Sequence, residues 1–267
     1  MNLIINSPKT AVAFSIFDYK IHFYGIILMF AITFGLFFTY FIIKKSTNKA
    51  TAEDFIDFSP ILIIASILGA RLFYVLGSLG FYLKNPLEII MINHGGISIW
   101  GAIIFGILTL YIYLKKKKYN ILEFFDYIAL AMPISQAIGR WGNYFNQEAY
   151  GKPTTGFLRL YIDSKFRYSE YKDISYYHPT FLYESILNCI LFVVLMFVFL
   201  KYKNIKKGAV FCLYLIFYGI IRIFVESFRI DSVLYIDNFP IAQIISLVVV
   251  ILAAIGLVNI NKKTADN

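Results

Sequence analysis

Charge is what this sequence has least of. Only 15% of its 267 residues are Asp, Glu, Lys or Arg, while 59% are hydrophobic. A soluble domain carries about 25% charged residues, so a soluble fold of this length would lack polar side chains to cover its surface. Two cysteines, Cys189 and Cys212, both inside apolar runs, exclude a disulfide framework and any CxxC or zinc pattern. They read as small buried hydrophobes. No internal repeat and no low-complexity linker divides the chain. The first apolar run lacks the small-residue cleavage pattern of a signal peptide and is expected to stay as an uncleaved membrane helix.

Long apolar runs fill the space that charge leaves. The first covers residues 21–43 and ends in Lys44-Lys45. At about 1.5 Å per residue it is long enough to cross some 30 Å of hydrocarbon. Six more follow at 58–76, 96–114, 125–138, 180–200, 209–225 and 239–260. The fourth is short and contains Pro133, which points to a broken or tilted helix. The fold class predicted is an all-α, polytopic integral membrane protein with about seven transmembrane helices, built as a single domain over residues 1–267.

The net charge of +9 is read as orienting these helices rather than as binding nucleic acid. Lys44, Lys45 and Lys49 follow the first segment, Lys115 to Lys118 the third, Lys201, Lys203, Lys206 and Lys207 the fifth, and Lys262 and Lys263 the seventh. Every basic cluster comes after an odd-numbered segment. An N-terminus outside and a C-terminus inside would put all of them in the cytoplasm. The longest polar stretch, 143–179, would then lie outside, as a small extracytoplasmic subdomain or a loop resting on the membrane.

Arginine behaves differently from lysine. Of only six arginines, Arg71, Arg140, Arg222 and Arg229 lie within or beside apolar segments. A charge there costs a few kcal/mol or more and so carries a partner or a function. A planar guanidinium suits a phosphate or a carboxylate. Arg222, Glu226 and Arg229 stand at i, i+4 and i+7, which places them on one helical face. Around Arg140 the chain reads Gly139-Arg-Trp-Gly142-Asn143-Tyr-Phe-Asn146-Gln-Glu148-Ala-Tyr-Gly151, the densest polar group near a predicted membrane boundary. Two further groups begin at His94-Gly-Gly and at His178-Pro-Thr-Phe-Leu-Tyr-Glu184. From residue chemistry alone the Arg140 group fits a lipid headgroup site, an ion path or a loop cap. In it Glu148 can accept a proton or orient Arg140. A transporter using the same arginines would be expected to show repeated halves and interrupted helices, which this chain lacks.

Taken together, these segments resemble the prolipoprotein diacylglyceryl transferase family. The resemblance rests on the run 139–151, supported by Tyr24-Gly25, Gly95-Gly96, the run 178–184 and Y-G-x-x-R-x-x-x-E at 218–226. It implies transfer of the diacylglyceryl group of phosphatidylglycerol to the thiol of a lipobox cysteine in a preprolipoprotein, with glycerol 1-phosphate leaving. It implies no metal or organic cofactor, and a site on the outer side of a bacterial cytoplasmic membrane. It assigns catalytic roles to Arg140, Arg222, Glu226 and Tyr24. It assigns substrate contacts to Arg140, Asn143, Asn146, Glu148, Gly151, His178 and Arg229. Two positions depart from the pattern. Trp100 stands where many members carry a histidine four residues after the glycine pair, and an indole cannot take a proton. Phe181 stands where the family usually has Gln.

Overall fold

The computed structural model describes residues 3–47, 49–202, 204–232 and 234–262. Lys203 and Lys263, two members of the lysine clusters, lie outside them. Seven described helices are long and apolar enough to cross a membrane. They are α1 (Phe23–Ser46), α2 (Lys49–Gly77), α4 (Ile99–Lys116), α5 (Ile121–Asn146), α6 (Thr180–Lys201), α7 (Ala209–Glu226) and α8 (Ile241–Lys262). Between α2 and α4 lies a single helical turn, α3 (Leu79–Tyr82). Large side chains such as Met29, Phe41, Val193 and Leu252 are exposed on the long helices. Hydrocarbon, unlike water, is a natural surround for them. Cys189 is among the exposed residues, on α6, and only Cys212 is buried. The expectation of two buried cysteines is therefore corrected: residue 189 sits on an outward face of its helix.

The fourth segment is the main correction to the sequence reading. Far from being short or broken, α5 runs for 26 residues straight through Pro133. Proline removes one helical N–H and crowds the preceding turn, but side-chain hydrogen bonds tie α5 to its neighbours on both sides of it. Ser185 Oγ donates to the Ala137 carbonyl at 2.9 Å. Gln136 Nε2 donates to the Tyr214 hydroxyl at 2.9 Å. Near the opposite end, the Asp126 carboxylate accepts the backbone N–H groups of Gly208 at 2.6 Å and Phe211 at 2.8 Å. These donors belong to the start of α7, which has no side-chain cap from its own N-cap residue.

The described residues fall into two compact units, one of residues 3–39 with 125–262 and one of Tyr40–Phe124. In the second unit, α2 and α4 pack closely through Gly69 and Gly101. A Cβ at Gly101 would lie 2.2 Å from the Gly69 carbonyl oxygen, and one at Gly69 would lie 2.4 Å from the Phe105 side chain. Small residues allow this approach in lipid, where packing rather than water exclusion holds helices together. The same unit settles Arg71. Its buried guanidinium donates to the carbonyls of Ile89 (3.0 Å) and Gly96 (2.8 Å), and also to those of Glu88, Gly95 and Met91. Arg71 is thus a structural anchor that gathers the loop before α4. His94 belongs to that loop, with Nδ1 2.9 Å from Glu88, and α4 begins only at Ile99.

In the first unit, residues 147–179 form a small folded insert. Strand β1 (Leu3–Ile5) runs parallel to β4 (Leu158–Tyr161), which pairs antiparallel with β5 (Tyr176–Tyr177). Tyr150, Leu160, Ile162, Tyr177 and Phe181 make its core. The Tyr150 hydroxyl donates to the Phe166 carbonyl at 2.8 Å, and burial pushes its pKa up to about 12. Two hairpins, β2–β3 (Val12–Ile16, Tyr19–His22) and β6–β7 (Tyr235–Ile236, Phe239–Pro240), complete the strands. The insert starts four residues later than the sequence suggests, because α5 carries residues 143–146 as helix.

Candidate active site

The ends of α5, α6 and α7 bring the arginines together. Arg140 lies two turns from the end of α5, Glu184 in the second turn of α6, and Arg222 with Glu226 in the last two turns of α7. Glu184 is only 1% exposed and joins the three helices. One of its oxygens, Oε1, is 2.7 Å from Arg140 Nη2, and the other, Oε2, is 3.2 Å from Arg222 Nη1. The Tyr218 hydroxyl donates to Oε1 at 3.4 Å. Arg222 Nη2 also donates to Glu226 Oε2 at 2.7 Å, as the i, i+4 spacing predicts. Ser232 Oγ holds the other Glu226 oxygen at 2.6 Å.

Arg229 reaches the same cluster from outside the helix. The sequence places it on one face with Arg222 and Glu226, but α7 ends at Glu226 and a turn carries Arg229 beyond it. There it forms a two-point pair with Asp231, at 2.8 and 2.5 Å, and lies 3.9 Å from Glu226. Burial opposes the Arg229 charge, but Asp231 and then Glu226 more than offset it, so its pKa is raised and the group stays cationic. Arg140, Arg222 and Arg229 thus face Glu184, Glu226 and Asp231. This balance makes the buried charge tolerable, because an unpaired ion here would cost several kcal/mol.

Asn143, Asn146 and Glu148 form a second, uncharged-to-acidic knot at the end of α5. Glu148 Oε1 accepts from Asn143 Nδ2 at 3.0 Å and Asn146 Nδ2 at 3.3 Å. The chain reverses through Gln147 and Ala149, both at positive φ (52° and 55°), which folds Glu148 back over the helix end. Asn143 Oδ1 in turn lies 3.4 Å from Arg140 Nη1. The sequence alternatives for Glu148 included orienting Arg140 directly. The structure gives that task to Glu184 and leaves Glu148 with amide partners.

Tyr24, at the start of α1, lies against Gly142. A Cβ on Gly142 would stand 2.5 Å from the Tyr24 ring, so glycine is what lets the ring approach α5. Gly151 has a different task. Its N–H donates to the His178 carbonyl at 2.9 Å, and it bridges to Arg229. An added Cβ would meet His178, Thr180 and the Phe228 carbonyl at 2.7–3.0 Å. His178 points its Nδ1 at the Tyr183 hydroxyl, 3.1 Å away, and its ring packs on Phe228. Partial burial, and then Lys152, lower its pKa, which keeps the imidazole neutral near pH 7. The Phe181 ring contacts Trp141 and Tyr144 and fills the insert core.

Glu184 and Tyr218 stand in the sequence motifs at 178–184 and 218–226, which assign neither a site role. The signal for Glu184 was present: an acid in a predicted span demands a partner for the same reason an arginine does. Its pairing with two arginines at once could be found only in three dimensions. Each guanidinium has five N–H donors, and the contacts described occupy only some of them. The cluster is therefore suited to hold a further oxyanion with charge-assisted hydrogen bonds.

The family model for prolipoprotein diacylglyceryl transferase matches residues 11–259. A phosphatidylglycerol–prolipoprotein diacylglyceryl transferase of Clostridium botulinum (strain Loch Maree) is 39% identical over 252 residues, covering 94% of this chain and 97% of that protein. Its namesake in Clostridium novyi is 38% identical over 255 residues, with 94% and 96% covered. The one in Thermotoga maritima is 37% identical over 247 residues, with 91% and 82% covered.

Proposed function

The chain belongs to the prolipoprotein diacylglyceryl transferase family, and from that premise we propose how its arginine–glutamate cluster carries the transfer. The enzyme is a multi-pass membrane transferase that moves the diacylglyceryl group of phosphatidylglycerol to a prolipoprotein. The acceptor is the thiol of the lipobox cysteine. Its sulfur forms a bond to the glyceryl carbon that carries the phosphate ester. The carbon–oxygen bond to that phosphate breaks, and glycerol 1-phosphate departs with the bonding pair.

Charge moves onto the departing phosphate as that bond breaks. Arg140 and Arg222 hold the phosphodiester and meet the growing charge, an effect that is strong at the edge of a low-dielectric medium. Glu184 and Glu226 keep both guanidinium groups in place. Asn143, Asn146 and Tyr24 contact polar atoms of the lipid head. Arg229, Gly151 and His178 shape the wall of the site nearest the insert. Trp100 offers no base. Glu148 takes the thiol proton in this reading, because among the described residues it is the carboxylate of the cluster that has amide rather than arginine partners. The field of the arginines also favours thiolate. The whole chain acts as one membrane-embedded transferase, with the insert and the arginine cluster on the outer side and the lysine clusters in the cytoplasm.

The observation that carries this reading is the convergence of Arg140 and Arg222 on the two oxygens of one buried carboxylate. The test is transfer from phosphatidylglycerol to a lipobox peptide, read by mass as a diacylglyceryl thioether. Arg140→Ala and Arg222→Ala are each expected to lower the rate by about a hundredfold or more, the scale of losing one electrostatic stabiliser, with membrane insertion intact. Normal turnover in both would overturn these roles.

A further inference from the structure

We propose that the protein holds a second anionic phospholipid, at the end of its helices remote from the arginine cluster. A cavity of about 720 Å³ opens there, lined by Lys201, Tyr202, Lys206, Leu213, Leu257 and Asn261, among others. Lys201 ends α6, whose second turn holds Glu184. Seventeen residues of helix put the two about 25 Å apart along the axis. The cavity therefore belongs to the opposite membrane face and not to the transferase site.

Its two cations are held by neutral groups. Lys206 Nζ donates to the Asn261 carbonyl at 2.9 Å, at the end of α8. Lys201 Nζ sits over the rings of Phe197 and Tyr202, at 5.1 and 5.6 Å. Among the described residues neither lysine has a carboxylate within 4 Å. Among the described residues both line one cavity with no carboxylate beside them, which matches a phosphate. The floor is apolar: Leu213 and Leu257 lie on α7 and α8, the membrane-crossing helices. A free phosphate cannot use that surface, whereas the acyl chains of a lipid extend along it. Basic pockets at helix ends that open into the bilayer recognise anionic headgroups in this way. Lysines that serve only to orient the chain need no such cavity.

The experiment uses the full chain in phosphatidylcholine nanodiscs doped with phosphatidylserine, an anionic lipid that is not the transfer substrate. Native mass spectrometry reads lipid retained by the protein. The double variant Lys201→Gln/Lys206→Gln is expected to retain phosphatidylserine about tenfold or more weakly, the scale of two lysine–headgroup contacts. Its transfer activity, measured in phosphatidylglycerol-rich membranes, is expected to stay near the wild-type value. Arg140→Ala should keep this phosphatidylserine. The charge-preserving pair Lys201→Arg/Lys206→Arg should restore retention, which separates lost charge from lost folding. Unchanged retention in the glutamine pair would overturn the proposal. So would failure of the arginine pair to restore it, or displacement of the lipid by inorganic phosphate alone.

Discussion

Glu184 shows most directly how one side chain organises this site. It satisfies Arg140 at 2.7 Å and Arg222 at 3.2 Å from a position with almost no solvent contact. Glu184→Gln keeps the shape and removes the charge, leaving Arg140 with no carboxylate partner among the described residues and Arg222 with Glu226 alone. Breaking a buried pair in this way costs about 3–5 kcal/mol. We expect a lower thermal midpoint together with a loss of transfer of about a hundredfold or more; an unaltered rate would show that the arginines need no shared anchor. His178 gives a pH prediction. Its folded pKa lies below the ordinary histidine value, through burial first and Lys152 second. Near pH 7.5 both folded and unfolded forms are neutral and the group contributes nothing. As pH falls through about 6.5 the unfolded chain takes up the proton first, so stability declines. Thermal unfolding of wild type and His178→Gln at neutral and mildly acidic pH checks this: the variant should lose less stability on acidification.

At the scale of elements, two close contacts explain why particular helices sit where they do. Gly142 lets Tyr24 rest on α5, and the Gly69–Gly101 crossing joins α2 to α4. Gly101→Ala would drive a methyl to within 2.2 Å of a backbone oxygen, so the helices must separate. Overpacking of this kind costs about 1–3 kcal/mol. Gly77→Ala, in the same α2, meets nothing within 4 Å and is expected to be neutral or slightly stabilising. A matched fall in thermal midpoint for both variants would count against the crossing as the cause. Helix α5 carries the other lesson. Counting apolar residues ends it near 138, because Arg140, Asn143 and Asn146 look like loop. The helix continues since those side chains find partners on α6, in Glu148 and in one another, so their polarity no longer argues against helical backbone.

For the whole molecule the proposed sidedness has a direct test. With Cys189→Ala and Cys212→Ser as background, single cysteines at Asn120 and Asp173 sample the lysine-rich end and the insert. A membrane-impermeant maleimide applied to intact cells is expected to label Asp173→Cys, and to reach Asn120→Cys only after permeabilisation. The reverse pattern would invert the proposed orientation. The lysine clusters support this orientation because loop charge is resisted during translocation, independently of how the helices later pack.

Sequence by itself determined the class, the number of spans and the family. Those depend on composition, run length and ordered motifs, which need no knowledge of neighbours. It also isolated Arg140 and Arg222, since a charge in an apolar run is conspicuous wherever it folds. Tertiary structure alone decided the rest. It paired both arginines with Glu184, gave Arg71 to a ring of loop carbonyls, moved Arg229 off the helical face, and extended α5 through residue 146 of the run 139–151. Each of these outcomes turns on which distant group satisfies a buried charge or donor. That partner is set by packing between helices, and local sequence spacing carries no record of it.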